Sequence, residues 1–102
     1  KTQIFDEIDR GVGGATASAI GKRLLELSKH EQVIVVTHSP QVAAYSDNHL
    51  KVEKINSDKS TVTKVHTLNE EKTVREIARM LSGELITSEA LAAAATLRKA
   101  SK

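Results

Sequence analysis

The feature that most constrains the fold of this chain is the apolar run at residues 32–37, with the sequence QVIVVT. Four consecutive β-branched residues without polar alternation are typical of a strand buried on both faces, as in a parallel sheet. A second apolar run at residues 1–5 stops at Asp6, and a helical pattern over about residues 15–29 lies between the two runs. This order predicts a βαβ unit, whose right-handed crossover brings both strands into one parallel sheet.

Turn residues and helix caps predict the rest of the chain. Ser39 and Pro40 are typical of a helix start, Ser57-Asp58-Lys59 is typical of a hairpin loop, and Gly83 is typical of a helix stop. The sequence therefore predicts an α/β fold, with a parallel βαβ core followed by a β-hairpin and two C-terminal helices. The predicted bounds are about 40–45 for a short helix, 48–56 and 60–68 for the hairpin strands, 69–83 for the next helix and 87–99 for the last.

Composition limits the classes of protein to which the chain can belong. The 15 basic and 13 acidic residues give a formal charge of +2, which is too balanced to predict nucleic-acid or membrane binding by itself. The absence of cysteine excludes disulfides and thiolate metal sites, and no apolar stretch approaches the ~20 residues of a membrane span. The 102 residues suffice for a single domain, and we expect a cytoplasmic one.

Carboxylates follow the first predicted strand at Asp6, Glu7 and Asp9, and His38 follows the second. The carboxyl ends of parallel strands are where open α/β sheets bind ligands. One carboxylate can hold Mg²⁺ directly or through water, while another orients and deprotonates an attacking water. A histidine on the neighbouring strand can donate a hydrogen bond to a terminal phosphate. Hydrolysis of a nucleoside triphosphate requires this division of roles.

Three segments resemble the second half of an ABC-type ATPase head, and in particular the SMC-like ATPases of bacterial DNA repair. The segments are residues 4–14 (IFDEIDRGVGG), 36–44 (VTHSPQVAA) and 76–83 (EIARMLSG), so the resemblance covers nearly the whole chain. It implies a P-loop NTPase fold in which residues 1–102 form the C-terminal lobe of the head. We expect the chain to be a fragment, because a buried strand begins at residue 1 without a polar leader.

The same resemblance implies a role for each residue at the acidic edge. Asp6 would bind Mg²⁺ in the Walker B motif, and Glu7 would be the general base for ATP hydrolysis. Asp9 would lie in the D-loop and contribute across a head-to-head homodimer, and His38 would be the switch histidine that senses the γ-phosphate. The implied partners are the N-terminal lobe of the same parent protein and, through the parent, DNA. The implied process is double-strand break repair and recombination, with the parent associated with the nucleoid.

Departures from the family pattern restrict what the chain can do alone. No Walker A phosphate loop is present, since Gly21-Lys22 is followed by Arg23 instead of a hydroxyl residue. Thr16 occupies the last glycine position of a dinucleotide fingerprint, and the segment LSGE at residues 81–84 follows the Walker B strand instead of preceding it. We therefore expect the isolated chain not to hydrolyse ATP, although the full-length parent does.

Two other functions stay open at this point. Asp6, Glu7 and Asp9 can instead form the site of a metal-dependent nuclease or phosphoesterase, although such sites usually need another acidic residue from a separate strand. Alternatively, the chain is a non-enzymatic interaction module. The other histidines are expected on the surface, and the lysines of the hairpin are expected to form a solvated face, with DNA contact as the less favoured role. These residues are His30, His49, His66, Lys51, Lys54, Lys59 and Lys64.

Overall fold

A computed structural model of the chain describes residues 1–101. The predicted order of elements is confirmed, and every observed bound lies within two residues of the predicted one. The elements are β1 (Thr2–Asp6), α1 (Gly14–Ser28), β2 (Gln32–Val36), α2 (Pro40–Ala43), β3 (His49–Ser57), β4 (Ser60–Leu68), α3 (Glu70–Ser82) and α4 (Ser88–Ala100).

Strands β1 and β2 form the predicted parallel pair, in a register that runs from Thr2 opposite Gln32 to Asp6 opposite Val36. Helix α1 covers one face of this pair. Its buried residues Ala17 and Leu24 pack with Val42 of α2 and with the half-buried apolar side chains of the strands. The βαβ unit thus places the ends of both strands at one edge, as the sequence predicts.

The prediction that β2 is buried on both faces is wrong for the part of the chain that the structure describes. Burial alternates along both strands, and Ile4, Ile34 and Val36 are 68%, 44% and 48% exposed. These side chains share the face of the sheet that points away from α1, because successive strand residues point to opposite faces. A continuous β-branched run therefore does not by itself show which layer covers each face.

Helices α2, α3 and α4 enclose a second core made of small side chains around Ile77. Asn69 caps α3 by accepting a hydrogen bond from the backbone N–H of Lys72, and Thr87 caps α4 in the same way through Ala90. Gly83 ends α3 with φ of +83°, a backbone conformation that glycine adopts without strain. The buried members of this core are Ala43, Ala44, Ile77, Ala78, Ala90 and Ala94.

A buried arginine near the end of α4 joins the last helix to the rest of this layer. Arg98 is 5% exposed, and its Nη1 donates to the carbonyl of Ala44 at 3.0 Å and to that of Ser46. Its Nε and Nη2 each donate to a Glu70 carboxylate oxygen at 3.1 Å. The Ser101 hydroxyl also donates to the Ala44 carbonyl. The end of α2, the start of α3 and the end of α4 are therefore held at one point.

The hairpin of β3 and β4 projects from the helical layer. The strands pair in antiparallel register from His49 opposite Leu68 to Ser57 opposite Ser60, and residues 52–67 are exposed on both faces. Lys51 Nζ lies 3.2 Å from Glu76 Oε1 and links the base of the hairpin to α3. Among residues 1–101, no helix is long and apolar enough to cross a membrane.

Candidate active site

The carboxyl edge of the parallel pair is shaped by an unusual backbone conformation at Glu7. The Glu7 N–H donates to the Val36 carbonyl at 2.8 Å, which continues the contact between the strands one residue beyond β1. Glu7 then adopts φ of +52°, a left-handed conformation that costs a non-glycine residue about 1–2 kcal/mol. Gly11 also has positive φ, at +79°. The chain therefore turns sharply after Asp6 and forms a loop, residues 7–13, above the strand ends.

The side chains of Glu7 and His38 meet at this edge. Glu7 Oε1 lies 3.1 Å from His38 Nε2, which is hydrogen-bonding distance. The Glu7 side chain is 33% exposed and that of His38 is 89% exposed, so the imidazole has little packing of its own. Arg10 Nη1 lies 3.8 Å from the other Glu7 oxygen. The structure thus brings together the two residues that the sequence predicts as base and switch.

Asp9 is directed into its own chain. It is 7% exposed, and its Oδ2 accepts a hydrogen bond from the Thr37 hydroxyl. The same Thr37 oxygen accepts a 2.9 Å hydrogen bond from the Ser39 N–H. The Asp9 contacts in the described chain are therefore intramolecular, and its contact across a dimer stays a prediction.

Asp6 lies apart from these groups. It is the last residue of β1, it is exposed, and it is not among the residues that line the cleft at this edge. The cleft is open and has a volume of about 510 Å³. It is lined by Glu7, Asp9, Arg10, Gly11, Val12, His38, Ser39 and Gln41.

The donor set at this edge fits Mg²⁺ better than a metal that needs a protein cage. Within residues 1–101, no group of three or more histidine or acidic side chains lies close enough to hold a metal ion. Mg²⁺ usually keeps several waters and takes one or two carboxylates plus substrate phosphates, so the exposed carboxylate of Asp6 is a suitable ligand. The geometry gives no support to a nuclease site in which Asp6, Glu7 and Asp9 share a metal.

A second charged cluster lies between the base of the hairpin, α3 and α4. Burial lowers the pKa of His49. The positive charges of Arg98 and Lys51 lower this pKa further, and the negative charge of Glu76 partly offsets the decrease. His49 is half-buried, and its Nδ1 is buried without a hydrogen-bond partner in the described chain, so its predicted surface position is wrong. Burial would raise the pKa of Glu76, but hydrogen bonds from Arg79 and Lys51 outweigh it and the pKa is lowered.

The role of Thr37 beside the cleft was not predicted from the sequence. The sequence predicts Thr37 only as a strand residue, although its hydroxyl contacts both Asp9 and the Ser39 backbone. Ser39 was expected as a helix cap, which is confirmed, because its hydroxyl accepts a hydrogen bond from the Val42 N–H at 3.3 Å. The available signal was that the hydroxyl residues Thr37 and Ser39 flank His38 directly after a strand.

The chain is similar to curated proteins named DNA repair protein RecN, although no family model matches it. It is 50% identical to RecN of Rickettsia bellii over 94 residues, which are 92% of this chain and 17% of that protein. It is 52% identical to RecN of Streptomyces coelicolor over 83 residues, or 81% of this chain and 14% of the relative. The predicted resemblance to a bacterial DNA repair protein is confirmed, and the chain spans about one sixth of these relatives.

The chain is similar in fold to a solved structure. That structure comes from work on the structural biochemistry of ATP-driven dimerization and DNA-stimulated activation of SMC ATPases. The likeness has a TM-score of 0.65 with 25% sequence identity, and it covers 82% of this chain and 49% of that chain. The predicted fold class, an α/β fold of the SMC ATPase type, is confirmed.

Proposed function

We propose that residues 1–102 are the C-terminal lobe of the ATPase head of a RecN-like, SMC-like protein that acts in DNA double-strand break repair and recombination. The observation that carries the proposal is the pairing of Glu7 with His38 at the carboxyl edge of β1 and β2. The identity of about one half to RecN proteins supports it, as does the fold shared with an SMC ATPase. In this proposal the lobe supplies the Walker B motif, the D-loop and the switch histidine.

The residues of the edge divide the chemistry between them. Asp6 would hold Mg²⁺, which would neutralise charge on the phosphates of bound ATP. Glu7 is the general base, because its carboxylate faces an open cleft and can orient a water and accept its proton. The exposed His38 imidazole lies 3.1 Å from Glu7, and its N–H can turn to donate to an oxygen of the terminal phosphate when ATP is bound. Its contact with Glu7 keeps the imidazole beside the attacking water.

The rest of the site comes from outside this chain. The sequence has no Walker A motif, and the only cation that lines the described cleft is Arg10. The phosphates therefore require the N-terminal lobe of the parent protein and a second protomer in a head-to-head homodimer. The ATP-driven dimerization of the SMC ATPase neighbour supports this arrangement. DNA binds through the parent protein, and the isolated lobe does not hydrolyse ATP.

The test is Glu7→Gln in the full-length parent protein. Loss of a general base lowers turnover by roughly 10²–10⁴-fold, so we expect ATP turnover to fall at least a hundredfold while ATP binding persists. Glu53→Gln is the matched control, because Glu53 lies on the exposed hairpin and should leave turnover unchanged. Wild-type turnover in Glu7→Gln would refute the role of Glu7. Intact turnover in both Asp6→Ala and His38→Ala would favour a non-enzymatic interaction module.

A further inference from the structure

We propose that Asp9 and Thr37 are positioning residues that fix His38 against Glu7 through the hydrogen bond between their side chains. The inference rests on the proposed function, because it concerns the same site. It assigns Asp9 a role inside its own protomer, in addition to any contact across a dimer. It also assigns a role to Thr37, which the family-like motif does not single out.

Few contacts hold the His38 side chain directly. Its side chain is 89% exposed, and its described side-chain contact is the one with Glu7. A surface imidazole with a single partner samples several rotamers in the absence of other constraints. The position of the imidazole relative to Glu7 therefore depends on the backbone that carries His38.

The backbone of residues 37–39 is constrained on both sides of His38. The Thr37 oxygen accepts from the Ser39 N–H at 2.9 Å, which closes a tight local turn around His38. The same hydroxyl donates a hydrogen bond to the Asp9 carboxylate. Asp9 is 7% exposed and Thr37 is half-buried, so this hydrogen bond is partly shielded from water, and a charged acceptor makes it stronger than a neutral one.

The hydrogen bond between Thr37 and Asp9 also constrains the loop that carries Glu7. Glu7 and Asp9 lie on the same turn, where the Arg10 N–H donates to the Glu7 carbonyl at 3.2 Å. One end of the turn is fixed by the hydrogen bond from Glu7 N–H to Val36, and the other by Asp9 and Thr37. The segments that carry Glu7 and His38 are therefore joined by one backbone hydrogen bond and one partly buried side-chain hydrogen bond. A shift in the Asp9 loop would move His38 relative to Glu7.

The experiment measures ATP turnover of full-length variants. Thr37→Val is nearly isosteric but lacks the hydroxyl, so we expect kcat to fall roughly tenfold to a hundredfold, with KM changed less than about threefold. Thr37→Ser keeps the hydroxyl and should stay within about threefold of wild type. Thr63→Val, an identical change on the exposed strand β4, is the matched control and should have no effect. Equal losses in Thr37→Val and Thr37→Ser would overturn the proposal, because keeping the hydroxyl would then not preserve turnover.

A second comparison separates positioning from general structural damage. If Thr37 acts through His38, Thr37→Val should reduce kcat no further in a His38→Ala background. Independent losses that multiply would overturn the proposal. Should Thr37→Val fail to fold, Asp9→Ala removes the same hydrogen bond from the other side and should show the same dependence on His38. Wild-type turnover in Asp9→Ala would also overturn the proposal.

The two proposals fail differently. If Glu7→Gln abolishes turnover while Thr37→Val behaves as wild type, the positioning role is wrong and the proposed function stands. If Glu7→Gln turns over ATP normally, the proposed site is wrong and the positioning role falls with it.

Discussion

Replacing Arg98 by Met is the sharpest test of how the helical layer is held together. Met retains much of the length of the buried stem but none of the five N–H donors. In the wild-type protein Arg98 donates to two backbone carbonyls, those of Ala44 and Ser46, and to both oxygens of Glu70. Its Nη1 also donates to the Ser46 hydroxyl at 3.4 Å, so the substitution removes five hydrogen bonds while leaving most of the packing in place.

The expected loss of free energy depends on which acceptors of Arg98 keep another hydrogen-bond donor after the substitution. The Ala44 carbonyl keeps the hydrogen bond from Ser101, so the Ser46 carbonyl is the group that loses most. A hydrogen bond to a charged group contributes about 1.5–3 kcal/mol, whereas an ion pair with an exposed partner contributes about 0–1 kcal/mol. The Glu70 side chain is 56% exposed, so its ion pair with Arg98 contributes little to the free energy of folding. We expect the free energy of opening of this layer to fall by about 3 kcal/mol.

Amide hydrogen exchange of the full-length protein measures this loss locally. A change of about 3 kcal/mol corresponds to roughly hundredfold faster exchange of the α4 amides, since 1.4 kcal/mol is tenfold. Glu70→Gln should accelerate exchange less than tenfold, because an amide oxygen still accepts. Lys99→Met, a neighbouring change on the exposed face of α4, should have almost no effect. An acceleration below fivefold in Arg98→Met would show that the buried guanidinium does not hold the layer.

Three further predictions concern other parts of the chain. A Cβ at residue 21 would lie 2.6 Å from the Tyr45 ring, so Gly21→Ala should destabilise the protein by about 1–3 kcal/mol in thermal unfolding, and Tyr45→Leu should restore part of the loss. The lowered pKa of His49 means that the unfolded state binds the proton more readily below the ordinary value of 6.5. Stability should therefore be full above pH 6.5 and decline toward pH 5, and hydrogen exchange at the hairpin base should show a smaller decline in His49→Gln; an equal decline in both would contradict the assignment. At residue 7, where φ is +52°, thermal unfolding should show Glu7→Gly to be more stable than Glu7→Ala by about 1 kcal/mol. The reverse order would argue against backbone strain.

Local patterns in the sequence were sufficient to predict the elements and the neighbouring positions of Glu7 and His38. A βαβ unit has one dominant handedness, so two strand ends separated by one crossover helix must meet at one edge. The caps Asn69 and Thr87 act within three residues of their own positions, and such local interactions are visible in one dimension.

Features that depend on distant contacts were not predictable in this way. Arg98 lies in the segment LRKAS, which has the composition of a solvated helix end, yet it contacts the carbonyl of Ala44, 54 residues earlier. The burial of Asp9 likewise depends on a hydroxyl at Thr37, 28 residues away. The open face beside Ile34 was missed because an apolar run fixes the preference of a strand for burial, not the presence of a covering layer.

The length of the β3–β4 hairpin has a mechanical consequence. Nine residues per strand, at about 3.3 Å each, place the loop at Asp58 and Lys59 roughly 30 Å from the base. Residues 52–67 are exposed throughout, and the contact between Lys51 and Glu76 holds the base of the hairpin. A rotation about this contact would therefore move the loop further than the base. Asp58 lies seven residues, or about 23 Å, beyond Lys51, so a tilt of about 10° at this contact displaces the loop by roughly 4 Å. A spectroscopic label on Asp58 would therefore magnify small rotations of α3 into distances that are readily measured.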